Sequence, residues 1–370
     1  MRKGRWLASW RSSGGKPVFY HCISRVVDRR FVFGAAEKEK FRTLMRMQEK
    51  FTGCRVLSYC LMANHFHLML EVLPMAAVGL SDELLLTRLR AIYSEAFVAV
   101  VATELAEAQA SGPDGAVAAV HGRFNYRMHD LGEYMKGLLQ RLTQWFNRTH
   151  SRTGRLWEDR FKSVIVEDGV AAKTIAAYID LNPVRAGIVK DPADYRWSSY
   201  GEAIGGGARG NGKTAQAGLA RALGVNAPNP KREISNEDAE RSEEAALWKE
   251  VSRGYRQLLM AGAVGKLVET VGRDGETVVR TTRKGISKDE ARAANEGGGD
   301  IPFGKMLRHR VRYFTDGAII GSRMFVDEAF ATSKARFGPR RDTGARKLRG
   351  VASPASGLLW SVRDLRKGIA

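Results

Sequence analysis

The stretch that decides the fold runs from residue 54 to residue 74, CRVLSYCLMANHFHLMLEVLP. It contains two runs of apolar and β-prone residues, broken at Met62-Ala63-Asn64, which predicts two strands joined by a short turn. Before it, PVFYHCISRVV (17–27) alternates apolar and polar positions like a strand. AAEKEKFRTLMRMQEKF (35–51) has the spacing of an amphipathic helix. The predicted order is therefore strand, helix, strand, turn, strand.

Further along the chain, helical and extended patterns continue. Residues 81–110 form a long alanine-rich helical region, and residues 130–149 predict a second helix with Asp130 as its N-cap. VIVED (164–168) has the composition of a short strand, and residues 170–186 have the pattern of a helix. The first part of the chain therefore predicts an α+β core with helices beside a sheet.

The composition of the sequence changes after residue 200, where glycine becomes frequent. We expect a first domain over residues 1–200 and a Gly-rich linker over residues 201–230. Residues 231–330 predict a mostly helical accessory region that could bind DNA, with a hairpin within 265–283. Residues 331–370 hold ten Lys/Arg against two acidic residues, so we expect a basic tail that is flexible without nucleic acid.

Charge and composition limit the class of protein. The formal net charge of +20 favours a polyanionic partner such as nucleic acid, although ribosomal and membrane-surface proteins are also basic. No apolar run approaches the ~20 residues of a membrane span, so no membrane partner is expected. The three cysteines do not have the spacing of a disulfide framework or a zinc site, which favours a reducing, cytoplasmic location.

His65 and His67 are the sharpest local feature. Side chains two apart on a strand point the same way, so both imidazoles project from one face while Phe66 points into the opposite one. Two such rings on a rigid strand can supply two nitrogen ligands to a divalent ion. The alternative is a pair of polar residues on the solvated face of an ordinary strand.

A second constellation is AYIDLNPVRAG, residues 177–187. On a helix, Tyr178 and Asn182 lie one turn apart on the same face. Tyrosine is a weak nucleophile because its unperturbed pKa is about 10, but a nearby cation that polarises a phosphate makes attack feasible. The alternative is a core tyrosine followed by an Asn-Pro helix end.

Three stretches occur in a fixed order: LMANHFHLML (61–70), GRLWEDRFKSVIVED (154–168) and YIDLNPVRAGIV (178–189). Together they resemble the REP-associated tyrosine transposases, which are single-tyrosine histidine–hydrophobe–histidine (HUH) nucleases, and the resemblance covers roughly residues 15–200. It implies a ferredoxin-like antiparallel sheet flanked by helices, and cleavage of single-stranded DNA that depends on Mg²⁺ or Mn²⁺ and proceeds through a 5′-phosphotyrosine.

The resemblance also assigns roles and partners. By matched position, His65, His67 and Asn182 become metal ligands and Tyr178 becomes the nucleophile. It implies recognition of hairpin DNA, a possible homodimer, no nucleotide cofactor and a nucleoid-associated protein. Ala63 stands where the family often has proline, which should alter the turn and not the ligands.

The end of the helix predicted over 130–149 and the connector that leads from it to the strand predicted at 164–168 mix basic and aromatic residues. Basic side chains can follow phosphates and aromatic rings can stack on bases, which predicts DNA contacts by Arg148, Arg152, Arg155, Trp157, Arg160 and Lys162. The alternative is that Trp157 and Phe161 fill the core while the charges are merely solvated. Arg185 could bind a flanking phosphate or cap helix carbonyls.

We therefore expect a metal-dependent transposase that nicks and rejoins single-stranded or hairpin DNA. The alternative is a domesticated protein that binds a DNA hairpin without transposition. A replication initiator or relaxase is disfavoured, because the sequence contains no second catalytic tyrosine and no helicase-type phosphate loop.

Overall fold

The structure is a computed structural model. It describes residues 7–8, 10, 15–75, 79–205, 212–224, 247–259, 267–271, 277–281, 312–315, 317–337, 344–347 and 359–363. The chain divides into two compact units. The first comprises residues 1–57, 61–163 and 228–240, and the second comprises residues 58–60, 164–227 and 241–370.

The first unit contains three strands and five helices among its described residues. In chain order they are β1 (Val18–Arg25), α1 (Ala35–Thr52), β2 (Arg55–Leu61), β3 (His65–Val72), α2 (Asp82–Arg90), α3 (Glu95–Ser111), α4 (Ala116–Asn125) and α5 (Leu131–Thr149). β3 lies between β2 and β1, and β1 pairs with it antiparallel, from Val18 opposite Val72 to Arg25 opposite His65. The predicted order of strand, helix, strand, turn and strand is confirmed.

Helices α1 and α5 cover one face of this sheet. The Phe66 ring on β3 lies 4.8 Å from the Phe41 ring on α1, and the Tyr134 hydroxyl on α5 donates to the Met45 carbonyl at 3.0 Å. Asp130 caps α5 as predicted, because its side chain accepts a hydrogen bond from the backbone of Glu133. Phe66 therefore points into the core between the sheet and these helices. Its neighbours His65 and His67 point to the opposite face of the sheet.

The region predicted as one long helix over 81–110 consists of two helices, α2 and α3. The break falls at residues 91–94. Ser94 begins the second helix, since its side chain accepts from the backbone N–H of Phe97 at 3.3 Å. A serine whose hydroxyl serves a free N–H favours a helix start over a helix interior.

His129 is a pH-sensitive group in the first unit. Its Nδ1 donates to the Leu73 carbonyl at 3.1 Å, and its Nε2 lies 3.0 Å from a guanidinium nitrogen of Arg88. Burial and the charge of Arg88 lower the pKa of His129 to about 4. The histidine therefore stays neutral in the folded protein at a pH where it is protonated in the unfolded chain.

We expect the folded state to lose stability as the pH falls from about 6.5, the unfolded value, towards about 4. In that window only the unfolded state gains this proton, so the free energy of unfolding falls by up to about 1.4 kcal/mol per pH unit. His129→Asn, which tolerates the positive φ of 51° at this position, should flatten the slope. Denaturant unfolding at several pH values checks this, and an unchanged slope would contradict it.

The second unit contains its own strands and helices. Its described elements are β4 (Lys162–Val166, from residue 164 onward in this unit), α6 (Val170–Asp180), α7 (Asn182–Arg185), α8 (Ser199–Ile204), α9 (Gly212–Ala222), α10 (247–259), β5 (Leu267–Val271), β6 (Thr277–Thr281), α11 (Arg312–Thr315), β7 (Gly317–Gly321), α12 (Arg323–Thr332), β8 (Arg346–Lys347) and β9 (Trp360–Arg363). The strand order is β4-β7-β9-β8, with β5 and β6 as a separate antiparallel hairpin. The hairpin predicted within 265–283 is confirmed.

The pairing in this unit is mixed. β4 runs parallel to β7, whereas β9 is antiparallel to both β7 and β8. With the antiparallel β1–β3 pair and the flanking helices of the first unit, the chain is α+β and mostly antiparallel, as predicted. Along the chain, β1, α1, β2, β3, the helices that follow and β4 give the β-α-β-β-α-β order of a ferredoxin-like fold.

Two predicted boundaries differ from the structure. Residues 201–230, predicted as a linker, include α9, whose buried alanines and Leu219 give it an apolar face. The tail predicted to be flexible contributes β9, where Leu359 and Val362 are buried. Both segments bury enough apolar surface to order the backbone. Within the accessory region predicted over residues 231–330, the structure describes residues 247–259, 267–271, 277–281, 312–315 and 317–330.

None of the described helices is long and apolar enough to cross a membrane.

Candidate active site

The two predicted metal-ligating histidines lie together on β3. The ring centroids of His65 and His67 are 5.2 Å apart at an interplanar angle of 83°. Direct antiparallel partners share a face of the sheet, so His65 lies beside Arg25 and His67 beside Ile23 on β1. The face that carries the histidines is therefore opposite to the one on which Phe66 packs, as the sequence predicted.

Each of the two rings is anchored through its Nδ1 atom. Nδ1 of His65 lies 2.7 Å from Oδ1 of Asn64, and Nδ2 of Asn64 in turn donates to the Arg29 carbonyl at 3.0 Å. Nδ1 of His67 lies 3.0 Å from Nε2 of His21. A hydrogen bond at one ring nitrogen fixes the orientation and the tautomer of an imidazole.

His21 is a part of this site that the sequence reasoning missed. It is buried on β1, and its ring stacks on that of His67 with centroids 5.2 Å apart. In the register His21 pairs with Met69, so it sits diagonally from His67 on the same face. The alternation of residues 17–27 places His21 on one face of its strand, but only the register with β3 brings it to His67.

The predicted nucleophile and its neighbouring amide lie in the second unit. Tyr178 is near the end of α6, and Asn182 begins α7. Nδ2 of Asn182 donates to the carbonyl of Tyr178 at 3.1 Å and to that of Ile179 at 3.3 Å. The helix predicted over 170–186 is thus interrupted at Leu181, yet this side-chain bond keeps Asn182 one turn from Tyr178.

The orientation of Asn182 bears on its predicted role. Because the amide nitrogen is used by the helix carbonyls, the oxygen Oδ1 points elsewhere, and the described residues supply no hydrogen bond to it. Asn182 is 8% exposed. An amide oxygen is a suitable ligand for Mg²⁺ or Mn²⁺.

The Tyr178 ring is covered by two side chains. Phe314 of α11 lies 4.9 Å away between ring centroids, and Cζ of the Arg185 guanidinium lies 4.8 Å from the ring centre. Tyr178 is 2% exposed. Nε and Nη1 of Arg185 are buried and donate no hydrogen bond to any described residue, although burying an unpaired cationic group is costly.

Asp180 fixes the same helix from its buried side. Its carboxylate accepts a hydrogen bond from the hydroxyl of Tyr255 at 2.7 Å and from the backbone N–H of Tyr200 at 3.0 Å. Burial raises the pKa of the Asp180 carboxyl to about 7, and these two hydrogen bonds partly counter the effect. The sequence reasoning did not single out Asp180, although an acidic residue inside the apolar run AAYIDL was a visible signal.

The amino-acid sequence of residues 16–81 matches the family model described as "Transposase IS200 like". The match begins just before β1 and includes both His65 and His67. A solved structure titled as a REP-associated tyrosine transposase bound to a REP hairpin is 12% identical, covering 55% of this chain and 85% of that chain with a TM-score of 0.33. No curated protein matches the chain significantly.

The basic connector follows the last helix of the first unit. Arg148, Arg155, Arg160 and Lys162 are exposed, whereas Arg152 is half-buried with its guanidinium 5.6 Å from the Phe146 ring. Trp157 is also half-buried. Its ring lies 5.5 Å from that of Phe66, and its N–H donates to Thr143 at 3.1 Å. The indole of Trp157 therefore contributes to packing, and a stacking role on DNA stays a prediction.

The candidate metal-binding side chains lie in different parts of the chain. Among the residues that the structure describes, no group of three His, Cys, Asp or Glu side chains is placed to bind a metal ion. His65 and His67 belong to the first unit, and Tyr178 and Asn182 to the second.

Proposed function

We propose that the chain is a metal-dependent transposase that nicks and rejoins single-stranded or hairpin DNA through a 5′-phosphotyrosine on Tyr178. The observation that carries the proposal is the arrangement of Tyr178, Asn182 and Arg185. It brings a candidate nucleophile, a candidate metal ligand and a cation with two unpaired nitrogens together within residues 178–185. The match of residues 16–81, in the other unit, to the family model of IS200-like transposases supports it.

The residues present fit a hard divalent cation. Nε2 of His65, Nε2 of His67 and Oδ1 of Asn182 are the proposed ligands, because the opposite atoms of these three side chains are anchored in the protein. Bound Mg²⁺ or Mn²⁺ would act as a Lewis acid that polarises the scissile phosphate. We propose no nucleotide cofactor.

The positive charge of Arg185 is placed to bind a phosphate group of the DNA substrate. A guanidinium with two buried and unpartnered nitrogens has the fork that binds a phosphate through two hydrogen bonds. Its position over the Tyr178 ring would bring that phosphate to the nucleophile. The phosphate in turn would satisfy the buried cation, so substrate binding removes an energetic cost present in the free protein.

The proposed reaction is a transesterification. The phenolic oxygen of Tyr178 attacks the phosphorus, a new oxygen–phosphorus bond forms, and the bond from phosphorus to the 3′ oxygen of the preceding nucleotide breaks. The phenolic proton is lost and the departing 3′ oxygen gains one. Because the phosphodiester energy is kept in the phosphotyrosine, attack by a 3′-hydroxyl reverses the step and rejoins DNA without ATP.

Access to Tyr178 is a requirement of this mechanism. The residue is 2% exposed beneath Phe314 and Arg185, so DNA must displace part of this cover before attack. Phe314 lies on a four-residue helix, which has little internal hydrogen bonding to resist movement. Arg185 stays beside the ring when it takes the phosphate.

The experiment that tests the function is covalent capture of DNA. The purified full chain is incubated with hairpin oligonucleotides that carry single-stranded flanks, with Mg²⁺, with Mn²⁺ or with chelator. Because a 5′-phosphotyrosine retains the downstream fragment, 3′-labelled DNA should give a labelled protein band on a denaturing gel. The same DNA labelled at its 5′ end should give a shorter free fragment that ends in a 3′-hydroxyl.

The alternative function gives a different outcome. A domesticated hairpin-binding protein would shift the hairpin in a binding assay and give no covalent band with either metal. The net charge of +20 and the exposed connector arginines are compatible with both functions. The transposase proposal is abandoned if tight binding is found on hairpins from beside the gene and no adduct forms on any of them.

Arg185→Ala should slow formation of the adduct by about 100-fold, the effect of removing one preorganised donor to a developing negative charge. Arg185→Lys should recover only part of the rate, because an ammonium group cannot form the two-pronged contact. The DNA dissociation constant should change much less than the rate. Lys190→Ala, at an exposed basic position in the same unit, is the matched control, and an equal loss in both variants would contradict the role.

A further inference from the structure

The loop between β1 and α1 exposes an aromatic side chain. Phe31 is 82% exposed, more than any other large hydrophobic residue that the structure describes. Its neighbours Arg29 and Arg30 are exposed as well, and so is Arg25 at the end of β1. The loop thus presents an exposed apolar ring together with three exposed arginines close to it in the chain, and an apolar ring in water has no stabilising role.

This loop is held in place by its backbone. Val27 donates to the Leu156 carbonyl at 3.0 Å, and Phe33 donates to the Ala63 carbonyl at 2.9 Å. Asp28 and Arg29 have φ angles of 56° and 55°, a left-handed conformation that side chains other than glycine seldom adopt. A backbone kept in such a conformation by its surroundings is a recurrent feature of binding sites.

The same loop is tied directly to the histidine pair. The side chain of Asn64 donates to the Arg29 carbonyl and accepts from Nδ1 of His65. Arg25 is the direct strand partner of His65. The exposed ring and the three arginines are therefore positioned by the element that positions the proposed metal ligand, and all of them lie within the transposase segment 16–81.

We propose that Phe31 is a stacking platform for an unpaired base of single-stranded DNA, with Arg25, Arg29 and Arg30 on the adjoining phosphates. The inference rests on the proposed function and adds a subsite for the nucleotides beside the cleaved bond. An aromatic ring can stack on any base, because every base has a π face, and arginines beside it hold the backbone. The site therefore favours unpaired flanks over paired DNA.

The test compares Phe31→Ala with wild type on a hairpin that has a single-stranded flank. Fluorescence anisotropy should show binding weakened about tenfold, the order expected for one lost base stack. Phe31→Trp should retain the affinity. Tyr126→Ala, which removes another exposed aromatic residue of the same unit (63% exposed), should leave it unchanged. Binding of a blunt duplex should not differ among the four proteins.

A second readout locates the base. With 2-aminopurine placed at successive flank positions, wild type should quench the fluorescence most strongly at one position, and Phe31→Ala should lose that quenching. Equal affinity and equal quenching in the two proteins would overturn the inference. It would also be overturned if Phe31→Ala lost binding to phosphatidylserine vesicles while its DNA binding stayed intact, because the ring would then serve a membrane surface.

The outcomes separate this inference from the proposed function. If Phe31→Ala weakens flank binding but wild type forms no covalent adduct, the stacking site stands and the proposed chemistry fails. If wild type forms the adduct and Phe31→Ala matches it in affinity and quenching, the chemistry stands and the stacking site fails. If wild type binds no DNA, both fail.

Discussion

Tyr178→Phe removes the covalent protein–DNA adduct. We expect the rate to fall at least about 1,000-fold, because no other group in the proposed site can form the phosphoester bond. Phenylalanine keeps the ring, and with it the contacts to Phe314 and to the Arg185 guanidinium. The variant should therefore fold normally and bind the hairpin with nearly unchanged affinity.

The control for this variant is Tyr126→Phe, which deletes a hydroxyl at an exposed position of the first unit. It should form the adduct at the rate of wild type. Adduct formation by Tyr178→Phe at more than a few per cent of that rate would show that another residue attacks the phosphate. Loss of hairpin binding in Tyr178→Phe would indicate a structural role for the hydroxyl instead.

Replacement of either histidine of β3 by glutamine has the second large effect. His65→Gln and His67→Gln each remove a proposed nitrogen ligand, so the affinity for Mn²⁺ in the absence of DNA should fall by more than about 100-fold. That loss exceeds what changing a supporting residue causes. Titration calorimetry or the electron paramagnetic resonance signal of free Mn²⁺ measures it directly, and the adduct should disappear in both variants.

His21→Gln should fall between these variants and wild type. It removes the partner of Nδ1 of His67 without removing a ligand, so Mn²⁺ should bind about 10- to 100-fold more weakly while hairpin affinity stays the same. His150→Gln, which changes a histidine that bonds Glu37 at 3.0 Å, is the matched control in the same unit. Unchanged Mn²⁺ affinity in both β3 variants would contradict the proposed metal site.

Much of the first unit could be predicted because its patterns are local. The alternation in β1, the break at Met62-Ala63-Asn64 and the cap at Asp130 each express a preference that acts within a few residues. The prediction that His65 and His67 share a face followed from the period of a strand alone. The structure agrees at all of these positions.

The partners of the site residues could not be predicted, because they come from distant parts of the chain. His21 meets His67 through a strand register that joins positions 46 residues apart. Asp180 meets Tyr255 across 75 residues, and Phe314 covers Tyr178 from a short helix that no local pattern indicates. Contacts of this kind depend on tertiary packing, which periodicity and propensity do not encode.

The segments beyond residue 200 show the same limit in another form. Glycine-rich composition predicted a linker, but α9 has a buried face made mostly of alanine, which is a strong helix former that adds little to a hydrophobic pattern. In the basic tail, the short run WSVR (360–363) forms β9. Charge dominates the average composition there, whereas a few buried apolar residues decide the structure.

The most direct test of the account is to identify the residue that carries the DNA. The adduct formed with a 3′-labelled hairpin is trimmed with nuclease and digested with trypsin, which should release residues 174–185, TIAAYIDLNPVR, as one peptide. If Tyr178 is the nucleophile, this peptide carries a nucleotide linked through its 5′ phosphate to Tyr178. A nucleotide on any other tyrosine, or a linkage through a 3′ phosphate, would contradict it.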